Sequence, residues 1–147
     1  MKTLVSFLFP LLFVGKSTWL TSMDEARQLA KTKHEFILLN FSGSDWCGPC
    51  IKMHSEIFES NAFQEYADSH LVLLNADFPR LKKNKLSADL QKSNDALADK
   101  YNPKGIFPYT ILLDSDGNVL KAWEGLFEEG PETFVYQVKN ELLGRTN

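Results

Sequence analysis

Hydrophobic and polar positions follow three rhythms along this chain. An unbroken start, Leu4 to Val14 (LVSFLFPLLFV), follows Met1-Lys2 and turns polar at Gly15-Lys16-Ser17-Thr18. From Thr21, TSMDEARQLAKTK has helical spacing: Ser22 caps it, Glu25 closes a capping box, and Met23, Ala26 and Ala30 share a face with Leu29 beside it. FILLNF, Phe36 to Phe41, is apolar except for Asn40, as a strand buried on both faces should be. Ser42 to Asp45 is polar and turn-forming. Trp46-Cys47-Gly48-Pro49-Cys50 then leads into IKMHSEIF, whose Ile51, Ile57 and Phe58 supply a helix with an apolar face. A short helical piece, Ala62 to Ala67, precedes a second buried strand, Leu71 to Ala76.

The polar stretch Phe78 to Asn102 carries Leu86, Leu90, Leu97 and Tyr101 at helical spacing behind a cap at Ser87. Its first part, Pro79 to Lys85, holds four positive charges and reads as a solvated loop. Pro103-Lys104-Gly105 ends the helix. Pro108 to Leu113 is a strand with Pro in first position, Asp114 to Gly117 a turn, and Asn118 to Trp123 the returning arm of a hairpin. Gly130-Pro131 opens a last helix through Phe134, Val138 and Leu142. The order helix, strand, helix, strand, helix, strand, strand, helix predicts an α/β fold of three layers, α/β/α, around a central mixed sheet of four to five strands.

Composition narrows the function. With 147 residues, 44% hydrophobic and 24% charged, the chain is long enough for one domain with a real core. Sixteen Lys plus Arg against nineteen Asp plus Glu give a net charge of -3, which offers no stripe for a nucleic-acid backbone. The apolar start reads as a secretory signal over residues 1–17, with residues 18–147 as the domain: a positive start at Lys2, a short apolar core and small residues at its end. It is shorter than the roughly 20 apolar residues of a spanning helix and contains Pro10, so a permanent anchor is the weaker reading. The expected location is extracytoplasmic, such as a periplasm, with a cytoplasmic domain as runner-up.

Cys47 and Cys50 carry the chemistry. A thiol at the first turn of a helix faces unpaired backbone N–H groups and the positive end of the dipole, which favours the thiolate. Cys47 is therefore the expected nucleophile. Cys50, one turn deeper, can attack a mixed disulfide at Cys47 and release the reduced substrate, so it is the expected resolving thiol. Gly48 permits close approach of a partner chain, and Pro49 is pre-organised for the first turn. Competing readings are thinner. A zinc site needs four ligands, and only His54 lies at a plausible distance, with His34 and His70 scattered, so no metal is expected. Attached haem would need His after the second Cys, where Ile51 stands. A bridge closing so few residues restrains little of the unfolded chain, which argues against a purely structural disulfide.

Trp46-Cys47-Gly48-Pro49-Cys50 after a buried strand, with Phe107-Pro108-Tyr109-Thr110 opening a later one, resembles the thioredoxin superfamily from Thr21 to Leu143. The resemblance implies a thioredoxin fold with a helical insert before the strand that starts at Pro108. It also implies a cis Pro108 lying against a redox-active Cys47–Cys50 disulfide, with Phe107 backbone groups free to pair with an extended substrate. Trp46, Gly48, Pro49, Phe107 and Pro108 are thus the expected substrate-binding residues. Three departures stand out. Asn40 and Leu73 occupy the places of a buried Asp and a Lys that help deprotonate the resolving Cys, so water, Asp45 or Asp77 is expected to stand in. Ser55 stands near the place of a mid-helix Pro. The segment 78–102 is longer than in a minimal thioredoxin. Trp19 and Trp123 read as packing residues, and Asn40-Phe41-Ser42 as a chance glycosylation match inside a buried strand.

The expected function is a monomeric thiol-disulfide oxidoreductase without metal or organic cofactor. It would reduce protein disulfides outside the cytoplasm and be fed by a membrane or soluble thiol donor. Gly-Pro between the cysteines resembles the reducing branch of the family. Oxidation or isomerisation, a dedicated reductant for cytochrome maturation, and a non-catalytic module holding extended clients are the alternatives.

Overall fold

The computed structural model describes residues 17–146, so the segment read as a signal lies, except for Ser17, outside the described residues. Five strands form one sheet: β1 (Trp19–Leu20), β2 (Phe36–Ser42), β3 (Leu71–Asp77), β4 (Tyr109–Leu113) and β5 (Val119–Glu124), in the order β1-β3-β2-β4-β5. β1 and β2 flank β3 in parallel, whereas β4 runs antiparallel to β2 and β5 antiparallel to β4. The helices are α1 (Met23–Lys33), α2 (Gly48–Lys52), α3 (Asn61–His70), α4 (Ala88–Tyr101) and α5 (Pro131–Leu142). The mixed sheet and its helix layers are those of the expected α/β/α thioredoxin fold, with α4 as the helical insert. None of the described helices is long and apolar enough to cross a membrane.

Central β2 explains its own sequence. Phe36 and Leu38 point into one core with Leu71, Leu73, Leu112 and Trp123, under α3, α5 and the helix that follows Cys50. Ile37, Leu39 and Phe41 point into the other, with Val72, Leu74 and Ile111, under α1 and α4. A strand covered on both faces needs apolar residues at every position, which is why FILLNF does not alternate. Helix starts follow their caps: Ser22, Ser60 and Ser87 each accept the backbone N–H three residues on, from Glu25, Phe63 and Leu90.

Several details differ from the sequence expectation. β1 adds a two-residue parallel edge strand too short to show any period. β4 begins at Tyr109, one residue after Pro108, and β5 at Val119. Ile57 and Phe58 are buried on the apolar face as expected, but Ile51, expected with them, is 51% exposed and Met53 is buried in its place. The cause is a change of helical pitch: after Lys52 the backbone continues as a π-helical segment over Met53–Phe58, which rotates the buried face away from the 3.6-residue pattern.

Candidate active site

β2 ends at Ser42, and the chain turns through Gly43 to Trp46 to reach Cys47, the N-cap of α2. The turn is closed by Gly43 O, which accepts the N–H groups of Trp46 (3.3 Å) and Cys47 (2.9 Å). Cys47 Sγ accepts the Cys50 N–H at 3.2 Å, so one otherwise unpaired amide of the first helical turn points at the sulfur. Cys47 and Cys50 are bridged, with Cα atoms 5.2 Å apart. Both are buried, at 5% and 3% exposure, so shielding alone separates the two thiols very little. What distinguishes them is position: Cys47 caps the helix, and Cys50 lies inside it next to Gly48 and Pro49, which are exposed.

The Phe107–Pro108 peptide bond is cis. Pro108 is buried and Phe107 half-buried, and the ladder between β2 and β4 begins only at Tyr109 opposite Phe41. Phe107 meets Trp46 edge to face at a centroid distance of 5.5 Å and Phe78 at 5.6 Å. Trp46 is held on every side. Its Nε1 donates to Phe78 O at 2.7 Å, and the Arg80 guanidinium carbon lies 3.6 Å from the ring centroid. Beneath it, a Cβ on Gly43 would lie 2.3 Å from the indole, so only glycine admits the ring there.

The carboxylates expected to relay protons are occupied otherwise. Asp45 accepts the N–H groups of Arg80 (2.9 Å) and Leu81 (3.0 Å) and the Asn84 side-chain amide (2.9 Å). The Arg80 N–H first, and then the Asn84 amide, hold its carboxyl below the ordinary value of 3.8. Asp77 accepts Ser44 N–H (2.9 Å) and Ser44 Oγ–H (2.5 Å). Both anchor the segment after β3 to the turn before Cys47. Deeper in the sheet, Asn40 joins a buried polar row across three strands: its Nδ2 donates to Asn75 Oδ1 (3.3 Å), and Thr110 Oγ1 donates to its Oδ1 (3.1 Å). The side chain at the place of the usual buried acid is thus hydrogen-bonded and carries no charge. Asn40 is only 6% exposed. The roles of Gly43, Phe78 and Arg80 were not legible in the sequence, because no spacing reports which loop will fold over Trp46.

His54 is on the π segment, 3.6 Å from Glu59, and its ring faces Trp19 and Phe58. Trp19 and Trp123 pack as expected, Trp19 against Phe58 at 5.1 Å and Trp123 against Phe134 at 4.9 Å.

The profile of the Thioredoxin-like domain matches residues 23–135, well over half of the chain. The chain belongs to the thioredoxin-like family. Disulfide bond reductase DsbH of Chlamydia pneumoniae is 36% identical over 121 residues, covering 82% of this chain and 70% of that protein. The thioredoxin-related protein DsbJ of the same organism is 32% identical over 98 residues, covering 67% of this chain but 27% of its own, longer length. A solved structure of a DsbH oxidoreductase superposes with a TM-score of 0.80 at 32% identity, covering 99% of this chain and 96% of the other. With Cys47 and Cys50 bridged in this setting, the protein is a thioredoxin-like thiol-disulfide oxidoreductase.

Proposed function

We propose that this protein is a disulfide reductase acting on exported proteins, with Cys47 as the nucleophile and Cys50 as the resolving thiol. The observation that carries it is the placement of Cys47 Sγ at the N-cap, accepting the Cys50 N–H and bridged to Cys50. In the reduced protein the Cys47 thiolate attacks one sulfur of a substrate disulfide. A mixed disulfide forms and the other substrate sulfur leaves as a thiolate. Cys50 then attacks Cys47 Sγ, the substrate leaves as a dithiol, and the protein holds the Cys47–Cys50 disulfide. Two electrons and two protons from a dithiol donor restore it.

The exposed Gly48 and Pro49 leave room for a partner backbone, and Trp46, Phe107 and Pro108 line the side on which an extended substrate would lie. The reducing direction is supported by the printed activity of the C. pneumoniae relative and by Gly-Pro between the cysteines. Extracytoplasmic action after removal of residues 1–17 is supported by the apolar run that follows Met1-Lys2.

Equilibration of residues 18–147 in glutathione buffers tests the direction. A reductase gives a potential well below the glutathione couple, and a value well above it makes the protein an oxidant or isomerase. The roles are tested by trapping: Cys50→Ser should accumulate a mixed disulfide at Cys47 with a peptide disulfide. The reading fails if Cys47→Ser traps substrate instead.

A further inference from the structure

The run Arg80, Lys82, Lys83 and Lys85 is solvated, as expected of this loop, but it is also held in place. There is no acidic residue from Phe78 to Ala88, so four of the sixteen basic residues of an otherwise acidic chain fall within six positions. All four are exposed, and among the described residues none of them forms an ion pair. A free charge run in solvent would need no scaffold, yet this one has several. Three hydrogen bonds to the Asp45 carboxylate fix Arg80, Leu81 and Asn84. A short 3₁₀ turn over Lys82–Asn84 sets the lysines, and Phe78 N–H bonds Ser42 O at 2.9 Å. The Arg80 guanidinium carbon lies over the ring of Trp46, the neighbour of Cys47. The charges are therefore held at a fixed place on the rim of the reactive disulfide.

We propose that Arg80 to Lys85 is a cationic docking strip that selects protein disulfides flanked by acidic residues. The proposal rests on the reductase reading and names the substrate class for that site. A disulfide delivered to Cys47 brings its flanking chain over Trp46 and onto the strip. Unpaired cations there attract acidic flanks over about a Debye length, raising encounter rates at low salt, and disfavour basic flanks. Exposed Leu81, within the strip, adds an apolar contact for the same chain.

The test is single-turnover reduction by pre-reduced protein of two synthetic peptides, each with one intramolecular disulfide. One is flanked by Asp and Glu, the other by Ser and Asn. At about 20 mM salt the wild type should reduce the acidic peptide about tenfold faster, and the advantage should vanish by about 0.5 M salt. The triple variant Lys82→Glu, Lys83→Glu, Lys85→Glu should lose or reverse the preference while reducing the neutral peptide at the wild-type rate, which also verifies its fold. The corresponding Gln variant should fall between the two.

Equal wild-type rates on both peptides, or a preference that survives charge reversal, overturn the proposal and leave the reductase reading standing. Failure to reduce the neutral peptide overturns both. Capture of the wild type, but not the Glu variant, by vesicles of three parts phosphatidylglycerol to seven of phosphatidylcholine, with no peptide preference, overturns it in favour of a membrane surface.

Discussion

A methyl group on Gly43 would lie 2.3 Å from the Trp46 ring, and the ring has nowhere to go. Phe78 O holds its Nε1, Phe107 meets its edge and Arg80 covers its face. Gly43→Ala should lower unfolding stability by about 1–3 kcal/mol, the usual cost of overpacking, and slow reduction of peptide disulfides more than that of a small aromatic disulfide that needs no rim. Denaturant melts and the two rates check it. Asn40 is the second such residue. Asn40→Leu removes both hydrogen bonds of the row at once and leaves the Asn75 and Thr110 polar groups wanting, so stability should fall by about 2–5 kcal/mol in denaturant melts. The cysteine pair, the flanking Trp46 and Pro108 were legible residue by residue, since each belongs to a short string. Gly43 and the Asn40 row were not: Gly43 meets Trp46 only three positions on, but what pins that ring includes Phe78, 32 positions from it, and the partners of Asn40 lie 35 and 70 positions away, brought in by strand register.

At the scale of elements, the segment after β3 and the turn before Cys47 behave as one unit joined through Asp45. Its carboxyl titrates below the ordinary value, chiefly through the Arg80 N–H. The anchoring is therefore complete above about pH 4 and is lost as pH falls through the lowered folded value. Trp46 emission should change across that acid range. In Asp45→Asn the acid change should be absent, and the rim should already be loosened at pH 7. Strands buried on both faces and capped helices were read correctly from pattern, since burial and caps are local signals. On the helix beyond Cys50, Ile57 and Phe58 were read correctly but Ile51 was not, because a π segment breaks the 3.6-residue period between them. β1 escaped notice because two residues make no period.

The whole molecule is a fold that grips its own redox state. A bridge with a sequence separation of 3 closes a very small loop, for which chain entropy gives about 2 kcal/mol. Reduction should then lower the melting temperature by about 4–8 °C in calorimetry, and by linkage the folded chain should hold the disulfide more firmly than the unfolded chain does. Layers and sheet class were legible at this scale from the order of elements. The charge run after β3 was legible too, but its place beside Trp46 was not, since no spacing reports that residues 78 to 80 fold back over that ring.

β1 has a consequence of a different kind. Trp19 and Leu20 pair with Leu73 and Leu74, so two residues are all that separate the apolar strand β3 from being an open edge. Trimming the chain to Ser22 would bare the backbone donors and acceptors beside Leu73 and Leu74 and lengthen the open edge of β3, the template on which strands of neighbouring molecules stack. Such a truncated protein should form fibrillar aggregates where one starting at Ser17 stays dispersed, so this short edge strand acts as the guard of the sheet in a crowded solution.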